Sequence, residues 1–212
     1  LKIDILSTDA LTRIITTMDL LIEDEVIEDQ GNLRENYNKY LHPDVIDYDN
    51  QRMYDMLYHG DVISVFQFST DVGKQAIRKV NARKFKELAA ANSLMRLTTK
   101  SEEQPIDKFV KFRDDINLWD QEMVELGLDE DEIKLLKTHL SNTNGICDTQ
   151  ELLMILSMEV AGYSLTEANQ FRKLVARANK KALEKEKKVF IKKGQQRKHR
   201  REKFLEYVWT YC

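Results

Sequence analysis

The chain has 212 residues, 33% of them charged and 42% hydrophobic, with a formal net charge of −3. That length can bury a sizeable core in one domain or two small ones, and no apolar run approaches the ~20 residues that span a bilayer, which argues against a membrane protein. No basic stretch leads into the apolar core of a signal peptide, and Cys147 and Cys212 make no disulfide framework, so a reducing, cytoplasmic setting is expected.

Residues 2–6 alternate enough for a short strand. Leu11, Ile14, Ile15, Met18, Leu21 and Ile22 then mark an amphipathic helix over 9–23, opened by Thr8 or Asp9. An acidic loop follows to residue 31. Helices are expected over 32–40, ended by Pro43, and over 47–58, ended at His59-Gly60. Val62 to Phe68 is β-branched and aromatic and reads as a short strand or extended segment. From Thr70 onward the pattern is almost wholly helical, over 71–80, 83–96, 105–114, 117–125, 129–140, 149–161, 165–182 and 184–209. Pro105 suits a first helical position, and Asp129 a cap. The fold class is therefore mainly α, with one or two short strands near the N-terminus. Residues 97–104 form the best internal boundary, with 141–147 second.

Residues 144–181 are the most informative. Asp148 with Glu151 has capping spacing, Ser164 with Glu167 forms a capping box, and Gly162-Tyr163 fills the turn between two helices. Leu165, Ala168, Phe171, Val175 and Ala178 make an apolar stripe along the second helix, while Lys173, Arg177, Lys180 and Lys181 lie off it. On helix chemistry alone such cations form a solvated face first and a polyanion site second. The charge is also segregated. Residues 172–203 hold 15 Lys or Arg against 3 Asp or Glu, and the remainder is acidic. An acidic body with a basic, solvated C-terminal arm suits nucleic acid about as well as it suits a plain surface helix. His42, His59, His139 and His199 show no metal spacing.

Several motifs occur in a fixed order: Lys2-Ile3-Asp4-Ile5-Leu6, Val65-Phe66-Gln67-Phe68, Phe85-Lys86-Glu87-Leu88 through Arg96, Gly145-Ile146, Gln150-Glu151, Gly162-Tyr163-Ser164-Leu165, Arg172-Lys173 and Lys180-Lys181. In this order they resemble the palm end and fingers of the bacterial DNA polymerase III alpha subunit, the C family of polymerases. The likeness covers nearly the whole chain and is weakest at about 23–46, 97–143 and 182–212. It implies that residues 1–23 end a palm subdomain and residues 24–212 form the fingers, with a basic arm at 172–203. It also implies an excised part of a DNA-directed DNA polymerase that adds deoxynucleotides to a primer on a DNA template, inactive by itself.

The resemblance assigns roles residue by residue. Asp4 matches one of three palm carboxylates that hold magnesium. Arg172, Lys173, Arg177, Lys180, Lys181 and Arg96 match positions that reach the incoming deoxynucleoside triphosphate. The later cations Lys192, Lys193, Arg197, Lys198, Arg200 and Arg201 are expected to meet the DNA backbone. Implied partners are primer–template DNA, deoxynucleoside triphosphates, the remainder of the polymerase chain and a sliding clamp, with no membrane. The chain departs from the family pattern in four places. Lys173 stands where the family has a second arginine, and Ala176-Arg177-Ala178-Asn179 where it has Met-Gly-Lys-Lys. Thr149 replaces a tyrosine, and Leu97-Thr98-Thr99 replaces a Pro-Gly-Pro turn. The alternatives are a non-catalytic helical nucleic-acid-binding module derived from a polymerase, and a helical protein-interaction domain with an incidental basic tail.

Overall fold

The computed structural model describes residues 9–97, 103–177 and 179–210, and these form two compact units that divide between Met95 and Arg96. In the first unit, α1 (Asp9–Glu23) is followed by α2 (Leu33–Tyr40), α3 (Gln51–His59), α4 (Asp71–Val80) and α5 (Phe85–Leu94). The starts of α2, α3 and α4 are set by side chains: Asn32, Asn50 and Thr70 each accept the backbone N–H three residues on. Such caps satisfy donors that have no partner inside the helix. Tyr54, Leu57, Ala76, Ile77, Val80, Ala91 and Leu94 fill the core.

No strand occurs among the described residues, and the extended segment expected at 62–68 is a run of turns. The reason is local. Strand N–H and C=O groups need a neighbouring strand, and none occurs among the described residues. Val62 and Phe68 are instead buried as single anchors, and Gln67 turns the chain at φ +66°. Gly73 then lets α4 pass over this turn, because a Cβ there would stand 2.6 Å from the Gln67 carbonyl oxygen and 2.7 Å from Phe68 Cα. The strand expected at residues 2–6 lies outside the described residues.

In the second unit the order is α6 (Pro105–Asp114), α7 (Asn117–Glu125), α8 (Glu130–Leu140), a 3₁₀ turn (Ser141–Thr143), α9 (Gln150–Ala161), α10 (Leu165–Ala176), α11 (Lys180–Lys198) and α12 (Glu202–Trp209). Helix α9 is the hub, packing against α10, α11 and α12 through a surface that includes Leu153, Leu156, Val160 and Ala161. Tyr163, Phe171, Phe190 and Trp209 close the core beside it, with ring centroids 5.4 to 6.2 Å apart. Among the described residues no helix is long and apolar enough to cross a membrane.

Five expectations need correction here. The helix expected over 165–182 stops at Ala176, and Asn179 restarts the chain by accepting the Ala182 N–H at 3.1 Å. The helix expected over 184–209 breaks at His199, which adopts the left-handed conformation and lets α12 lay Leu205 on Gly194. The basic arm is not solvated as a whole: Phe190 is fully buried and Gly194 is buried too. Finally, Thr149 rather than Asp148 caps α9, and Leu165 of the expected apolar stripe is 64% exposed.

Glu167 ties α10 to α11. Its backbone N–H donates to Ser164 Oγ and its carboxylate accepts the Ser164 N–H, completing the expected box. The same carboxylate accepts Lys193 Nζ at 2.8 Å and Arg197 Nη1 at 2.9 Å. These donors, Lys193 first, pull its pKa from 4.5 down to about 2. A depressed carboxylate pKa gives stability that is complete above the unfolded value and is lost as pH falls through the folded one.

Two outcomes follow. Gly73→Ala should lower the denaturation midpoint: overpacking against fixed backbone costs about 1–3 kcal/mol and outweighs the roughly 1 kcal/mol by which alanine is the better helix former. A midpoint equal to or above the parent's would contradict the close approach. Glu167→Gln should be less stable than the parent at neutral pH and should show a smaller loss between pH 4.5 and 2, since the titrating group is gone. Parallel stability curves across that window would remove Glu167 from the clamp.

Candidate functional site

The break between α10 and α11 gathers the cations singled out in the sequence. Arg172 and Lys173 lie on the last turns of α10, and Arg177 is its C-cap. Lys180 and Lys181 are the first two residues of α11. Lys173, Arg177, Lys180 and Lys181 are exposed, and none makes an ion pair among the described residues. A helix end carries partial charge, positive at the N-terminus. The positions of Lys173 and Arg177 therefore suit cations, whereas those of Lys180 and Lys181 do not, and the first turn of α11 holds no acidic residue to relieve them. An anion placed there would meet free backbone N–H groups and lysine ammonium groups together.

Arg172 is different in kind. Its guanidinium is half-buried and held on two sides. Nη1 donates to Gln150 Oε1 at 2.5 Å, while Nε and Nη2 donate to Asn169 Oδ1 at 3.2 and 3.0 Å. Both partners are neutral, so the positive charge is not cancelled. Gln150, of the Gln150-Glu151 motif, thus makes a structural bond to Arg172. Asn169 escaped notice, although its spacing of three from Arg172 on one helix face is the usual signal for such a pair.

The later cluster divides. Lys193 and Arg197 bond to Glu167, and Arg197 also donates to the Gly162 carbonyl at 2.8 Å. Arg201 pairs with the buried carboxylate of Glu132, lies 3.3 Å from Asp129 and donates to the Gly127 carbonyl. Arg200 lies over the Phe204 ring at 5.8 Å. Lys192 and Lys198 are exposed and make no ion pair among the described residues. Arg96 is exposed just after α5, where the two units divide.

Asp4 lies outside the described residues. Among the described residues no group of three His, Cys, Asp or Glu is placed to hold a metal ion. Burial pushes the Cys147 thiol up to about 12, which removes it as a thiolate nucleophile at neutral pH.

Comparison with known proteins identifies the family. A family model described as the bacterial DNA polymerase III alpha subunit finger domain matches residues 24–198. The chain is 41% identical over 211 residues to the probable DNA polymerase YorL of Bacillus subtilis (strain 168), covering 99% of this chain and 16% of that protein. It matches a DNA-directed DNA polymerase of Bacillus phage SPbeta with the same identity and coverage. The DNA polymerase III subunit alpha of Staphylococcus epidermidis is 27% identical over 159 residues, which is 75% of this chain and 14% of that protein. The chain thus spans about one-sixth of the length of the first two relatives. A chain whose helices from α2 to the end of α11 match that model belongs to the family of the bacterial DNA polymerase III alpha subunit finger domain.

Proposed function

We infer that this chain forms the fingers of a DNA-directed DNA polymerase and that the α10–α11 break receives the triphosphate of the incoming deoxynucleotide. The observation that carries this reading is the placing of Lys180 and Lys181 at the positive end of α11, with no acidic residue in that turn. Charge placed against a helix dipole lowers stability, and a polyanion reverses the sign of that effect. Arg172, Lys173 and Arg177 would add cations from the α10 side. Lysine supplies a point charge and arginine a planar fork, so Arg172 and Arg177 would set the orientation of the phosphates and the lysines their charge balance.

Primer–template DNA would meet the exposed cations farther along α11. Lys192 and Lys198 suit this role because they make no ion pair among the described residues; Lys193, Arg197 and Arg201 are already engaged by carboxylates. Asp4 is the candidate magnesium ligand that the family likeness implies, and carboxylate oxygen suits that ion. The described residues do not fit a magnesium site on their own.

The test sets stability against binding. In the double variant Lys180→Gln/Lys181→Gln, relief at the α11 dipole should leave the melting temperature equal to or above the parent's, by up to about 1 kcal/mol of stability per residue. Affinity for a deoxynucleoside triphosphate should fall at the same time. Unchanged affinity, or a loss of stability, would contradict the assignment. For DNA, affinity should fall with salt, and Lys192→Ala/Lys198→Ala should flatten the log–log slope by roughly 0.7–0.9 per lost phosphate contact. An unchanged slope would move the DNA contact off these residues.

A further inference from the structure

The mounting of Arg172 sets it apart from the other arginines. Among the described residues, Arg83, Arg113, Arg197 and Arg201 bond to carboxylates of Asp55, Asp114, Glu167 and Glu132. The side-chain partners of Arg172 are two amides, Gln150 and Asn169. A guanidinium can only donate, so both amides must present oxygen to it, and their orientation is fixed. Their bonds occupy Nε, one N–H of Nη1 and one N–H of Nη2. Of the five donors an arginine carries, one on each terminal nitrogen remains for an anion.

We propose that Gln150 and Asn169 are positioning residues that hold the Arg172 guanidinium in place without neutralising it, so that its two remaining donors and its full charge are kept for a nucleotide phosphate. This rests on reading Arg172 as a triphosphate contact. Gln150 is the first residue of α9 and Asn169 lies one turn before Arg172 on α10, so the pose is referred to both helices. A carboxylate at either position would hold the guanidinium more strongly and would spoil it for an anion, because it would cancel the charge and repel the phosphate. Amides give geometry alone. A role in folding only would have the opposite preference, since a carboxylate adds ion-pair attraction to the hydrogen bond that an amide already accepts from the guanidinium.

That opposition supplies the test. Gln150→Glu and Asn169→Asp, made in this chain, should keep or raise the melting temperature. Each should weaken binding of metal-free dTTP by about tenfold or more, the factor that loss of one charge-assisted bond produces. Gln150→Ala should weaken binding less than Gln150→Glu does. Arg172→Ala is the control. If it leaves dTTP affinity unchanged, or if the parent chain does not bind dTTP, the reading of Arg172 itself fails. If Arg172→Ala weakens binding while both acidic variants match the parent, the positioning role alone is overturned. Acidic variants that lose melting temperature along with affinity would make the pair a packing contact and would equally overturn it.

Discussion

The Glu167 carboxylate accepts a backbone N–H from Ser164, the ammonium of Lys193 and the guanidinium of Arg197. It lies at the third position of α10, and its two cationic partners lie deep in α11. One acidic side chain therefore fixes the start of one helix against the body of the next. Both helices also pack on α9, whose buried Leu153, Leu156 and Val160 hold them from the other side. Arg172 reaches Gln150 at the start of α9 from the helix pinned in this way. The basic site is thus built on a helix held by a charge interaction that is not itself part of the site.

The same clamp sorts the cations. Segregated charge in a sequence says only that one stretch is basic, whereas the folded chain decides which charges remain available. Glu167, Glu132 and Asp129 take up Lys193, Arg197 and Arg201 within the fold. Lys173, Arg177, Lys180 and Lys181, around one helix break, make no ion pair among the described residues. An available cation is one whose charge no acid in the fold engages, so that it stays open to a phosphate. The break differs from the rest of the arm in gathering four such cations together, whereas Lys192 and Lys198 stand farther along α11.

Much of the helix order was legible because caps and periodicity are local. Ser164 with Glu167 and Asp129 with Glu132 form their boxes as spacing dictates, and Pro105 opens α6. The family could be read from motifs in fixed order, from Val65-Phe66-Gln67-Phe68 to Lys180-Lys181. What stayed hidden depends on distant partners. The pattern around 62–68 favours a strand, yet a strand needs a neighbour and the folded segment has only buried anchors and a turn. Helical propensity runs through 177–179 and through His199, but the Asn179 cap and the left-handed His199 interrupt it. The basic arm looked solvated because acidic partners such as Glu167 and Glu132 lie 26 to 69 residues away in sequence. The candidate site was legible as a set of residues, and its mounting on Gln150 and Asn169 was not, since the Gln150 bond joins positions 22 residues apart.

The central claim is that available charge at the α10–α11 break, rather than basic composition in general, defines the phosphate site. The most direct measurement is a backbone-amide NMR titration of this chain with inorganic triphosphate, at an ionic strength high enough to screen exposed surface lysines. The account predicts saturable shifts concentrated at residues 172–182, with those at 192–203 weak and lost first as salt rises. Shifts spread evenly over both stretches, or strongest at 192–203, would contradict it.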